Sequence, residues 1–218
     1  MTVPSPSPDR WTFGEQPLDE GVAFATAVRD LVCTALALEF PSQELRALTD
    51  VLRGAERRLV TEASVDPSPR IGPAATTEQR VYLDHSRDIG DFNPCFPRYA
   101  LRCTGDRGEG SVSFPLLYEG PPGLVHGGFL AVFFDCVMQQ LNCDLGLTGK
   151  TADLTVRYRR PTPVLTTLVV HARREIVGDR IHSSAELELD GKALCEAEMR
   201  SAIGDRTALP VVSPRRRP

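Results

Sequence analysis

The run 129–141, Phe-Leu-Ala-Val-Phe-Phe-Asp-Cys-Val-Met-Gln-Gln-Leu, places apolar residues on every side of a helical projection. A helix of that kind cannot lie on a surface, so the rest of the fold has to wrap it. One carboxylate, Asp135, sits inside the run. An ionised carboxylate buried without partners costs several kcal/mol, so Asp135 must find hydrogen-bond donors, take up a proton or open onto a pocket. A backbone or hydroxyl donor from a covering sheet would satisfy it as a purely structural group. The helix alone therefore leaves structural and functional readings evenly matched.

What flanks the helix indicates how it is covered. Residues 99–104 and 110–117 read as two short strands around the Gly105-Asp-Arg-Gly108 turn, an antiparallel hairpin. After Gly149 the period changes to two. Ala152, Leu154, Val156 and Tyr158 share one face, while Thr151, Asp153, Thr155, Arg157 and Arg159 share the other. Residues 165–177, 181–189 and 193–203 follow as β-branched or alternating runs separated by the Gly178-Asp179 and Asp190-Gly191 turns. Two strands, one long helix and four strands predict an α+β domain, an antiparallel sheet wrapped on a central helix.

The N-terminal half is organised differently. Residues 1–17 are rich in Pro and Ser and are expected to be disordered. Residues 19–40 have helical spacing that Pro41 should end, and Ser42 can cap a second helix with Leu45, Leu48, Val51, Leu52 and Leu59 as its stripe. Packing against the domain is favoured for this 18–62 extension over a cap or a dimerisation arm. Residues 63–97, with five prolines, form a connecting segment; 98–204 form the domain, and 205–218 a tail.

Composition removes several function classes. The 218-residue chain has a formal net charge of -4, and its one basic cluster, Arg215 to Arg217, ends it, so nothing points to a nucleic-acid partner. No segment approaches the ~20 apolar residues that span a bilayer, and the opening lacks the apolar stretch of a signal peptide, so a cytoplasmic location is expected. Six cysteines without a Cys-x-x-Cys pair, and four histidines without a helical pair, argue for reduced thiols and against a metal site.

The turn before the helix favours the functional reading of Asp135. Gly127-Gly128 at a helix start allows close approach, and first-turn N–H groups lack intrahelical acceptors at the positive end of the macrodipole. Such a terminus suits an oxyanion. Asp135 lies eight residues after Gly127, on nearly the same face but about 12 Å further along the axis. The two groups could meet one substrate only if they came from opposite subunits.

His126-Gly127-Gly128, Asp135 and the strand Thr151-Ala-Asp-Leu-Thr-Val-Arg-Tyr-Arg-Arg-Pro161 together resemble the PaaI-like branch of the hotdog-fold acyl-CoA thioesterases. The lead-in Tyr118-Glu-Gly-Pro-Pro-Gly-Leu-Val-His-Gly-Gly128 is similar to that of the group containing thioesterase superfamily members 4 and 5. The resemblance covers residues 99–203, about half the chain. It implies a hotdog fold, a homodimer or a dimer of dimers with sites at the interface, acyl-CoA as substrate, and no cofactor.

Carried over by position, Asp135 activates water or attacks the thioester, and the Gly127 N–H polarises its carbonyl. His126 orients substrate or turn, and Thr151, on the facing subunit, helps to hold the water. Gly128 adjoins the substrate, and Arg157, Arg159 and Arg180 fall where the family approaches the CoA nucleotide. Gly120 departs from relatives that have an Asn or Gln donor seven residues before the first glycine of the motif.

Two other readings compete with hydrolysis. A hotdog dehydratase acting on 3-hydroxyacyl thioesters would need an Asp and a His a few residues apart, and no such pair follows Asp135. A non-catalytic acyl-CoA-binding protein fits the Gly120 departure.

Overall fold

The computed structural model describes residues 19–62, 89–144 and 148–204. The expectations for residues 1–17 and for the tail fall outside these, as does most of the connecting segment. In chain order the elements are α1 (Asp19–Leu36), α2 (Gln43–Glu62), α3 (Ile89–Phe92), β1 (Tyr99–Thr104), β2 (Arg107–Ser113), α4 (Gly127–Asp144), β3 (Thr148–Tyr158), β4 (Thr167–Val177), β5 (Arg180–Leu189) and β6 (Lys192–Gly204). A short 3-10 turn, Leu116–Tyr118, lies between β2 and α4.

The six strands form one antiparallel sheet in the order β1-β2-β4-β5-β6-β3. Alternation decides which face is buried: on β6, Cys195, Ala197, Met199 and Ser201 are buried, while Glu198 and Arg200 between them are exposed. Helix α4 lies against that inner face and contacts β1, β3, β4, β5 and β6. Its Phe133, Phe134, Val137, Met138 and Leu141 are fully buried among Phe114, Tyr118, Leu168, Val170, Leu187 and Met199. Each such side chain adds about 1.5–3 kcal/mol of burial, which outweighs the helix's buried polar residues. Of those, Asn142 accepts a hydrogen bond from Ser183 Oγ at 3.2 Å.

The α+β architecture expected from the pattern is the one observed. The β1–β2 hairpin turns more tightly than read, since Thr104 pairs with Arg107 and β2 starts there, leaving only Gly105 and Asp106 in the loop. At the other end, residues 116–118 leave the strand for the 3-10 turn that leads toward α4.

The N-terminal extension corrects two readings. Helix α1 ends at Leu36 instead of reaching Phe40, closing with a tightened turn in which the Leu38 N–H bonds the Ala35 carbonyl at 3.3 Å. The residue before a proline is pushed out of the helical region, and here the chain leaves it several residues early. Ser42 Oγ accepts from the Leu45 N–H at 3.2 Å and caps α2 as the sequence suggests. Yet no residue of α2 is buried, and Leu45, Val51, Leu52 and Leu59 are exposed, so packing on the domain does not account for its stripe.

Helix α1 does dock, through Ala25 and Arg29, which are both buried. The Arg29 guanidinium donates to the carbonyls of Gly90, Asn93 and Phe96, which ties α1 to the end of the connecting segment. That segment, expected only as a connection, contains the four-residue helix α3, with Ile89 and Gly90 buried.

Candidate active site

Helix α4 starts where the sequence breaks its apolar run with glycines. His126 precedes it, and its carbonyl accepts from the N–H groups of Phe129 at 2.9 Å and Leu130 at 3.3 Å. Its side chain works as an N-cap, because Nδ1 accepts the Gly128 N–H at 3.0 Å. The Gly127 N–H has no acceptor among the described residues, as expected for a first-turn donor. Histidine thus satisfies one orphan donor and leaves the neighbouring one open toward an anion.

Gly127 is held from a second side. The Tyr158 O–H donates to the Gly127 carbonyl at 2.9 Å, and a Cβ on Gly127 would sit 3.0 Å from that oxygen. Partial burial and the nearby Cys195 raise the Tyr158 phenol above its ordinary value, so it serves as a neutral donor. The sequence pattern assigned Tyr158 only to the inner face. Its hydroxyl reaches the helix start because β3 is an edge strand running beside α4.

Asp135 lies two turns into α4 and is half-buried. Thr151 Oγ1 donates to its Oδ1 at 2.7 Å, and Gln139 Nε2 donates to the same Thr151 oxygen at 2.7 Å. The second carboxylate oxygen, Oδ2, has no hydrogen bond among the described residues and remains available to a substrate or water. The sheet hydroxyl foreseen as a structural partner is therefore present, but it uses only half of the carboxylate.

Thr151 reaches Asp135 against the simple alternation. Thr151 pairs with Ser201 and Asp153 with Arg200, so Ala152 is an extra residue, a β-bulge. The bulge reverses the parity of β3: Leu154 and Val156 face the core, Asp153 faces outward to pair with Arg200 at 2.7 Å, and Thr151 turns inward. Thr151 was expected on the face of Asp153 and Arg157, and the bulge is why it is not. It also sits beside Asp135 of its own chain, where the resemblance implied a place on a facing subunit. Gln139 was missed, although its spacing of four residues from Asp135 puts both on one helix face.

The arginines lie elsewhere. Arg157 and Arg159 are on the outer sheet face, bonded to Glu198 at 2.8 Å and Glu196 at 2.9 Å. The Arg159 guanidinium holds the Glu196 carboxyl below its ordinary value. Among the described residues Arg180 has only Asp179 as an ion-pair partner, at 3.7 Å. Two open concavities of about 510 and 600 Å³ also lie on that outer face, lined by residues such as Glu109, His171 and Glu186 or Asp153, Arg173 and His182. Neither of these two is lined by Asp135, Thr151 or Gly127.

Alternative nucleophiles near the carboxylate are poor. Burial pushes the Cys136 thiol up to about 12, with the Asp135 charge adding to the rise, and burial takes Cys195 to about 12 as well. His171 and His182 occupy the outer face and do not meet Asp135.

Gly120 is explained by contact. Its N–H donates to the Leu124 carbonyl at 2.9 Å, and a Cβ there would approach His126 Cβ to 2.8 Å. A side-chain donor cannot be added without moving the turn. We expect Gly120→Asn to lower stability by about 1–3 kcal/mol, read as a fall of several degrees in Tm. An unchanged Tm would show that the turn yields freely.

No protein-family model matches the chain. Mouse acyl-coenzyme A thioesterase THEM4 is 32% identical over 78 residues, covering 35% of this chain and 34% of that protein. The Xenopus laevis THEM4 is 30% identical over 81 residues, covering 37% of this chain and 36% of that protein. The chain thus matches about a third of the length of these relatives. The crystal structure of a thioesterase superfamily protein superposes with a TM-score of 0.70 at 24% identity, covering 88% of this chain and 100% of the other. A share of that size extends the common architecture beyond the sheet and α4 into the N-terminal helices. The chain has a hotdog fold, and over about a third of its length its sequence is similar to the acyl-coenzyme A thioesterases THEM4.

Proposed function

We propose that the protein hydrolyses acyl-CoA thioesters to the free acid and CoA, at a site completed by a second copy of the chain. The observation that carries this is the half-used carboxylate of Asp135: Thr151 fixes one oxygen at 2.7 Å and leaves the other open. In this reading Oδ2 takes a proton from a water that attacks the thioester carbonyl. The Gly127 N–H of the second chain stabilises the oxyanion, and collapse of the intermediate expels CoA as its thiolate. His126 and Tyr158 keep that amide in place, and Gly128 borders the acyl group.

Distance supports a composite site. Eight residues of helix separate Gly127 from Asp135 by about 12 Å, too far for one thioester to touch both within a chain. A two-fold dimer, alone or paired into a tetramer, would bring each amide to the other chain's carboxylate. Among the arginines, Arg180 is the best placed for CoA phosphates, since it and Lys150 flank Ala202 in one row across β5, β6 and β3. Arg157 and Arg159 would have to exchange glutamates for phosphate. No helix among the described residues is long and apolar enough to cross a membrane.

The test is thiol release from a panel of short, medium, long and aromatic acyl-CoAs, followed with a thiol-reactive dye. Hydrolysis of at least one class is expected. Binding of CoA without turnover across the panel would instead favour a non-catalytic acyl-CoA-binding protein, the reading that the missing side-chain donor at Gly120 supports. The dehydratase reading has little support, because no described histidine faces Asp135.

A further inference from the structure

We propose that Gln139 is a positioning residue: it sets the direction of the Thr151 hydroxyl and thereby the orientation of Asp135. The inference rests on the hydrolase reading above. A hydroxyl has one proton and two lone pairs, so its role as donor or acceptor depends on its neighbours. Thr151 Oγ1 has three within reach: Asp135 Oδ1 at 2.7 Å, Gln139 Nε2 at 2.7 Å and Met199 Sδ at 3.5 Å. The amide nitrogen can only donate. It occupies a lone pair and leaves the proton to be shared between a carboxylate and a thioether.

The carboxylate wins that competition, because hydrogen bonds to an ionised acceptor are short and roughly twice as strong as neutral ones. The other amide proton of Gln139 is directed at Ser201 Oγ, 3.5 Å away and fully buried, so both protons have an acceptor in this orientation. With the amide reversed, its oxygen would compete with Asp135 for the single Thr151 proton. The chain Gln139–Thr151–Asp135 is thus polarised in one direction, and the carboxylate at its end is held with Oδ2 outward. Three local features build it: the four-residue spacing on α4, the inward turn at the Ala152 bulge, and the pairing of Thr151 with Ser201.

Two substitutions separate this role from simple packing. Gln139→Leu, which keeps much of the volume and removes the donor, should lower kcat about tenfold, the value of one hydrogen bond, with KM within about twofold. Gln139→Glu, which offers the hydroxyl an acceptor instead, should cost more than Gln139→Leu. In a Thr151→Val background Gln139→Leu should add no further loss, since the relay is already cut. Additive losses, or a rise in KM with kcat unchanged, would overturn the proposal.

Neutron diffraction from crystals of the deuterated wild-type protein decides the same point without turnover. Deuterium on the Thr151 Oγ1–Asp135 Oδ1 line, with the amide nitrogen of Gln139 facing Thr151, supports the relay; the amide oxygen facing Thr151 refutes it. Absence of hydrolysis in the wild type would remove the hydrolase reading, while this measurement would still decide the hydrogen-bond direction.

Discussion

Asp135→Asn is expected to lower kcat for acyl-CoA hydrolysis by about 10²–10⁴, the usual contribution of a positioned general base. The amide is nearly isosteric, and its oxygen can still accept the Thr151 proton, so the hydrogen bond that orients the side chain is kept. What is lost is the ability of the second atom to take a proton from water. Thermal melting of the variant should match the wild type, which separates lost chemistry from lost folding. Turnover within a factor of two of the wild type would remove Asp135 from the mechanism.

The second large effect concerns which chain supplies which group. Gly127→Pro deletes the N–H proposed to bind the oxyanion, at a helix position where proline is commonly accepted. Its ring also has to displace Tyr158, whose hydroxyl lies 3.0 Å from a Cβ built there, so folding is checked by thermal melting first. Alone, Gly127→Pro should lose about 10²–10³ in kcat. Mixed and reassembled with the Asp135→Asn chain, it should recover activity. Hybrid dimers join an intact carboxylate from one chain to an intact amide from the other, and random assembly restores about a quarter of the wild-type sites. Within-chain sites would recover nothing on mixing, and that result would refute the shared site.

Much of this was legible in the sequence because α4 is extreme. A helix apolar all round must be wrapped, and alternating strands on both sides provide the wrapping, so the α+β sheet-on-helix arrangement follows from two periodicities. The Ser42 cap of α2 was equally local, whereas the cap that His126 gives α4 acts within two residues of itself but was not read as one.

The misread features depend on partners distant in sequence. Thr151 faces Asp135 because β6 opposes one residue to two at Ala152, which period-two reading of β3 alone cannot reveal. Arg157 and Arg159 read as open cations until β6 supplies Glu198 and Glu196 beside them. Gln139 looks like a polar interruption of a core helix until Thr151 arrives from the sheet. The stripe on α2 predicts a helix correctly but does not indicate what covers it, because amphipathicity records that an apolar face exists and not its partner.

The extra residue at Ala152 bears on how relatives should be compared. Proteins with an unbroken strand at this point need one residue fewer to span the same distance along their neighbour. An ungapped alignment that matches residues 153–158 would then set Ala152 against the inward-facing hydroxyl of such a relative and leave Thr151 out of step. The equivalent of Thr151 is found by superposing backbones, and a single-residue gap in this strand records a preserved contact, not a lost one.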